Sequence, residues 1–221
     1  MAVDLYYDVV SPYSWIQFEM LCRYRTEWQS MSLKFRPFLL GAVLKGSGNN
    51  PPINVPNKAQ YMPQDIRRLG NYYKIPIVIP DNFVEVAFKK TTLNAMRFIT
   101  AIDLITKGVS TEEISRQLWK KIFVSHTDAS LPDSFREAAK SANIDEEVVE
   151  KAIKLMEQKE AKDALRETTE EAIGYGAFGA PSTVVHLPSG PQMIFGCDRL
   201  EIISSLLGEK YNGALHKKSR L

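Results

Sequence analysis

Apolar residues fill the run from Val3 to Val9, long enough for one strand. Ser11-Pro12 follows directly, with serine suited to a helix N-cap and proline to the first helical position. Trp15, Phe18, Leu21 and Cys22 recur at the spacing of a single buried face, which predicts a helix to about Glu27. Leu33 to Arg36 alternate like a second strand. Strand, helix and strand in this order favour a parallel βαβ unit, the alternative being an unclosed pair.

Residues 41–63 break the pattern. Gly46, Gly48, Asn49, Asn50, Pro51 and Pro52 cluster there, with Pro56 beyond, so the sequence predicts a long connection used as a binding loop and no continuous helix. Helical periodicity then dominates. A helix over 91–105 carries Leu93, Met96, Ile99 and Leu104, and Ser110 with Glu113 reads as a capping box before Ile114, Leu118, Ile122 and Phe123. Ser130 predicts the cap of a short helix. Asp145 predicts the cap of one bearing Val149, Ala152, Ile153 and Met156. The Glu/Lys-rich run over 146–171 alternates sign at helical spacing, as a solvated face does. Gly174 and Gly176 close the region.

Strand character returns in Thr183 to Leu187 and Gln192 to Phe195, with Pro188-Ser189-Gly190 as a hairpin turn between them. Asp198 is placed to cap a last helix, with Glu201 at N3 and Leu200, Ile203 and Leu207 on its apolar side. The chain therefore reads βαβ, a helical insertion, and ββα. That is the element order of an α/β thioredoxin-like fold with a helical domain inserted in the middle, one of several α/β arrangements the pattern admits. The expected parts are residues 1–62 and 175–221 for the thioredoxin-like domain and 63–174 for the insertion.

Composition narrows the class. With 44% hydrophobic and 24% charged residues, the 221-residue chain is expected to bury a sizeable core. Two cysteines, Cys22 and Cys197, are too few for a disulfide scaffold and supply no metal cluster. The formal charge of +2 points to neither nucleic acid nor membrane surfaces, and no apolar run is long enough to span a bilayer. Early aspartates argue against a secretory signal or ordinary transit peptide. Ser219-Arg220-Leu221, after Lys217 and Lys218, has the form of a peroxisomal address. No phosphate-loop or dinucleotide pattern occurs.

Asp8-Val9-Val10-Ser11-Pro12-Tyr13-Ser14-Trp15, the loop Ser47-Gly48-Asn49-Asn50-Pro51-Pro52, Tyr175-Gly176-Ala177-Phe178-Gly179-Ala180-Pro181 and Phe195-Gly196-Cys197-Asp198-Arg199, extended by Leu207-Gly208-Glu209-Lys210, resemble kappa-class glutathione transferases. The resemblance covers nearly the whole chain in order. It implies a thioredoxin-like domain with a helical insertion, glutathione as bound cosubstrate, a homodimer, and residence in peroxisomes or mitochondria.

Disulfide oxidoreductases of this superfamily open the same helix with Cys-x-x-Cys. Here both sulfur positions, Ser11 and Ser14, are hydroxyls, which cannot form a mixed disulfide, so exchange by a motif cysteine is excluded. The resemblance implies instead that glutathione brings the sulfur and that Ser11 donates a hydrogen bond to its thiolate beside the helix N-terminus. It further implies that the Ala180 backbone, before a cis Pro181, pairs with the cysteinyl part of glutathione. On the same resemblance Asp198, with Arg199, would hold the γ-glutamyl end, Lys58 would neutralise the glycyl carboxylate, and Asn49 would bind glutathione through its side-chain amide. Cys197 stands where the family usually has serine. Tyr13 and Trp15 are wall or core candidates, with core favoured for Trp15, and His126, His186 and His216 form no triad with a serine. The implied reaction is transfer of glutathione to a small hydrophobic electrophile or peroxide reduction. The alternatives are a glutathione-dependent isomerase and a non-catalytic glutathione-binding module.

Overall fold

The computed structural model describes residues 1–85 and 92–214. Strands β1 (Ala2–Tyr7), β2 (Ser32–Pro37), β3 (Ser182–Leu187) and β4 (Gly190–Phe195) form one sheet in the order β2-β1-β3-β4. β1 runs parallel to β2, from Ala2 opposite Ser32 to Tyr7 opposite Pro37, while the β1–β3 and β3–β4 pairs are antiparallel. Parallel neighbours in sequence need a crossover, and helix α1 (Pro12–Tyr24) supplies it. Between β2 and β3 the chain builds α2 (Leu40–Ser47), a 3₁₀ turn at Pro52–Asn54, α3 (Pro56–Tyr73), α4 (Leu93–Thr106), α5 (Thr111–Phe123), α6 (Pro132–Ser141), α7 (Glu146–Leu155) and α8 (Lys159–Gly174). Helix α9 (Leu200–Leu207) follows the hairpin. The expected thioredoxin-like core, interrupted by the helical segment α4–α8, is thus the fold of the chain.

β1 is the hinge of the two cores because it is buried on both faces. Val3, Leu5 and Tyr7 join the larger core with Trp15, Phe18 and Trp119, whereas Tyr6 joins Phe38, Val43, Ala172, Ala177 and Val184 on the opposite face. The seam between α1 and the insertion is aromatic and ionic. Trp15 stacks on Trp119 with ring centroids 6.4 Å apart, and Phe18 meets the same indole at 4.8 Å. Beside them, Arg116 of α5, only 2% exposed, places its Nε 2.8 Å from Glu19 Oε1 of α1. The Trp15 indole N–H donates to the same oxygen at 3.0 Å.

Several local expectations give way to tertiary contacts. The segment expected as an open loop over 41–63 holds α2, the 3₁₀ turn and the start of α3. Val43 and the half-buried Leu40 of α2 pack beside Ala172 and Ile173 of α8, and that burial outweighs the poor helix propensity of Gly41 and Gly46. Gly48 ends α2 in the left-handed region, at φ 69°. Pro56 is tolerated at the first helical position of α3, and Pro63 lies inside that helix, so residues 62 and 63 belong to one element. The capping box at Ser110 does not form: Ser110 makes no side-chain cap, and Glu113 is drawn to Arg116 and Gln117. Leu131, not Ser130, is the N-cap of α6, because the Ser130 hydroxyl donates to Asp128 instead. Asp145 holds the N-cap position of α7 without a side-chain cap bond. Arg199 takes the N-cap position of α9, leaving Asp198 one residue outside it and paired with Arg199. Helix α1 stops at Tyr24. The expected helix start at Thr91, His216, and the tail from Lys217 through Ser219, Arg220 and Leu221 lie outside the described residues.

Candidate active site

The N-terminus of α1 is built by Ser11. Its hydroxyl oxygen accepts the Ser14 N–H at 3.1 Å, the N-cap bond that the Ser-Pro pair foretells. The hydroxyl proton points toward the Ala180 carbonyl oxygen 3.5 Å away, long for an O–H···O bond. That proton is therefore weakly held. Pro12 has no N–H, and the Tyr13 N–H, at the second helical position, has no acceptor within the helix. Ser11 is 5% exposed, so an anion at this point would meet the hydroxyl and the helix terminus largely out of water. Ser14 Oγ is wholly buried and turned into the core.

The Ala180-Pro181 peptide bond is cis, and it lies against Ser11. The Pro181 carbonyl accepts the Gly196 N–H at 3.0 Å, which carries the site on to the end of β4. Gly196 has φ 98°, a backbone conformation that favours glycine, whereas the Asp198 Oδ1 that a Cβ would meet at 2.9 Å is the tip of an exposed side chain that can move aside. Asp198 and Arg199 form an exposed ion pair just beyond. Asn49, directly after α2, donates its side-chain amide to the Phe178 carbonyl at 2.8 Å. The structure thus brings Ser11 against Ala180-Pro181, sets Asp198 and Arg199 two and three residues past the Gly196–Pro181 bond, and ties Asn49 to the same run two residues upstream of Ala180. No hydrogen bond or ion pair joins Lys58 to this set. It is exposed in the first turn of α3, on the stripe that carries Asp65 two turns later.

The floor of this region is supplied by residues the sequence does not single out. Asp8, at the end of β1, accepts the Val10 N–H at 3.0 Å and the Thr92 hydroxyl at 2.7 Å on Oδ1, and the Leu40 N–H at 3.0 Å on Oδ2. Burial pushes its carboxyl above the usual range, against the pull of these donors. Tyr13, a wall or core candidate, donates to Asp65 Oδ2 of α3 at 2.9 Å, and burial raises its phenol further from ionisation. Trp15 is fully buried. His186 sits 3.0 Å from Asp4 Oδ2, across the sheet from no serine pairing. Among the described residues no three His, Cys, Asp or Glu side chains converge as a metal site, and no helix is long and apolar enough to cross a membrane.

Comparison with known proteins decides the family. The DSBA-like thioredoxin domain matches residues 2–208. The chain is 41% identical to human glutathione S-transferase kappa 1 over 213 residues, which is 96% of this chain and 93% of that protein. It is 41% identical to the rat glutathione S-transferase kappa 1 over 211 residues, 96% of this chain and 92% of that one. The chain belongs to the kappa class of glutathione transferases. A solved 2-hydroxychromene-2-carboxylate isomerase shares the fold, with a TM-score of 0.75 at 20% identity over 94% of this chain and 95% of that one.

In this kappa-class chain neither cysteine is poised to react. Burial, with the charge of Asp198 next, pushes the Cys197 thiol up to about 12, and burial likewise lifts Cys22 well above its ordinary value. At neutral pH the thiolate fraction of Cys197 is then roughly one in 10⁵. Iodoacetamide is expected to label neither residue in the native protein and both after unfolding, as read by peptide mass. Rapid native labelling of Cys197 would show an exposed thiolate that this burial forbids. Cys197, which stands where the family usually has serine, is thus a buried and unreactive thiol.

Proposed function

We propose that the protein binds glutathione with its sulfur against Ser11 and stabilises the thiolate for transfer to small hydrophobic electrophiles or for peroxide reduction. The observation that carries this reading is the Ser11 hydroxyl, whose oxygen is fixed by the Ser14 N–H while its proton has, among the described residues, the distant Ala180 carbonyl to bond. A thiolate arriving there accepts that proton's hydrogen bond and meets the positive end of α1. Glutathione supplies the nucleophilic sulfur, and the chain supplies its orientation and charge stabilisation. Ala180 presents its backbone to the cysteinyl segment. Asp198 and Arg199 are assigned to the γ-glutamyl end, with Asn49 and Lys58 at the glycyl end.

Ser11→Ala is the test. Loss of one charge-assisted hydrogen bond is expected to raise the pKa of bound glutathione by about one to two units, equivalent to roughly 1.4–2.7 kcal/mol. The measurement is ultraviolet thiolate absorbance against pH, with circular dichroism to separate any N-cap loss from the chemical effect. A folded variant with an unchanged thiol pKa rejects Ser11 as the thiolate donor.

The shared fold with the isomerase supports a second reading, in which the sulfur adds to the substrate and is expelled again. Product analysis separates the two. A conjugate that retains glutathione supports transfer, while a rearranged product with glutathione regenerated supports isomerisation.

A further inference from the structure

We propose that Asp8 is a positioning residue for Ser11, fixing the turn that presents the hydroxyl and tying that turn to α2 and to the inserted helix α4. Asp8 is 1% exposed and stands three positions before Ser11. Its backbone carbonyl accepts the Ser11 N–H at 3.0 Å, and its Oδ1 accepts the Val10 N–H at 3.0 Å. The backbone carbonyl closes the turn on Ser11 and the carboxylate holds it at Val10, the residue before, so the carboxylate bears on Ser11 through Val10.

The same carboxylate reaches two other elements. Oδ2 accepts the N–H of Leu40, the first residue of α2, whose N-cap Leu39 offers no side-chain cap. Helix α2 delivers Asn49 to the Phe178 carbonyl at 2.8 Å, two residues before Ala180. Oδ1 also accepts the hydroxyl of Thr92, the N-cap residue of α4. One turn into α4, Met96 Sδ accepts the Val9 N–H at 3.4 Å and adds a second contact to the same loop. The Ser11 rim and the Asn49–Phe178 rim are therefore referenced to one buried group.

An apolar residue ending β1 would avoid the cost of burying a carboxylate, but it would leave the Val10 and Leu40 N–H groups without these acceptors. A carboxylate offers two oxygens that only accept, matching three donors converging from different directions. Its Asn analogue turns an NH₂ toward at least one of them. Displacement of a reacting group by about 1 Å is enough to cost up to roughly a hundredfold in rate.

This inference rests on Ser11 being the sulfur's donor, and the experiment separates the two ideas. Asp8→Asn, Thr92→Val, Thr92→Ser and Ser11→Ala are compared in the full chain. The readouts are bound-glutathione thiol pKa, KM for glutathione, and kcat with chlorodinitrobenzene. Asp8→Asn is expected to raise the thiol pKa by about one unit and lower kcat about tenfold, with KM changed less than about threefold. Thr92→Val shifts the same quantities less, and Thr92→Ser restores them. A folded Asp8→Asn protein with wild-type thiol pKa and kcat overturns the inference. If Asp8→Asn does not fold, the Thr92 pair decides: loss in the valine variant with rescue by serine supports the role, and valine matching wild type overturns it. If Ser11→Ala itself leaves the thiol pKa unchanged, the reading of Ser11 falls and this inference with it. If only Ser11→Ala has an effect, the inference alone falls.

Discussion

Arg116→Ala is expected to lower the unfolding free energy by roughly 3–5 kcal/mol and Tm by about 6–20 °C, because it strands a carboxylate in the core. Glu19 is 1% exposed and takes its charged partner from Arg116 at 2.8 Å, with Trp15 as a neutral donor. Arg116 also binds Glu112 at 3.0 Å and Glu113, and its guanidinium lies 5.2 Å from the centre of the Phe18 ring. Removing the cation leaves the Glu19 carboxylate buried between α1 and α5 without the partner that Arg116 supplies. The double variant Glu19→Leu with Arg116→Met should recover most of the loss, since replacing a buried pair by apolar groups of similar volume is often neutral. Urea and thermal unfolding of both proteins give the comparison. If the double variant is as unstable as Arg116→Ala, the loss arises from packing and not from the stranded charge.

The same network has a pH signature. Burial raises Glu112, but the hydrogen bond from Arg116 and the charges of Arg25 and Arg116 outweigh it and hold its carboxyl below the usual range. A depressed carboxylate lends stability above its unfolded pKa and loses it as pH falls through the folded value. In Arg116→Ala that acid-sensitive part of the stability is expected to shrink.

Ser11→Cys is expected to change the chemistry itself. A thiol at a helix N-terminus is acidified, and as thiolate it attacks one sulfur of oxidised glutathione. The disulfide of oxidised glutathione breaks, a mixed disulfide with the protein forms, and one glutathione thiolate leaves. Ser14 offers no second thiol to resolve the adduct, so near-stoichiometric glutathionylation should be seen by intact mass and be reversed by dithiothreitol. Conjugation by the same variant should fall roughly ten- to a hundredfold, the value of a charge-assisted hydrogen bond of about 1.5–3 kcal/mol. Absence of the adduct in a folded variant would mean that the residue-11 position does not face incoming sulfur.

The sequence makes visible what is decided locally. The Val3–Val9 run with Ser11-Pro12, the Pro188-Ser189-Gly190 turn and the glycine at 174 each carry their own geometric signal, and β1, α1, the hairpin and the end of α8 appear where those signals stand. Helix α2 is hidden because its glycines argue against it while its support comes from α8, more than a hundred residues away. The capping reading of Asp198 fails because Arg199 holds the N-cap position and the Asp198 carboxylate pairs with the Arg199 guanidinium. Among the candidate residues, Ser11 and Ala180 are legible through motifs. Asp8 stands in the family-like motif before Ser11 with no role that the sequence assigns, and its partner Thr92, 84 residues on, has no local signal at all.

The separation between Ser11 and Ala180 has a consequence for the chain as it is synthesised. Ser11 leaves the ribosome 169 positions ahead of Ala180. At about 5–20 residues per second that is a wait on the order of 10–30 s. Through that interval Trp15 and Phe18 lack Trp119 for most of the early part, and the loop before Ser11 lacks Thr92 and Met96 until α4 emerges. A nascent chain that ends before α5 therefore carries an aromatic face without its Trp119 cover and a Ser11 turn without its Ala180 neighbour, so the site is completed only when the hairpin is made.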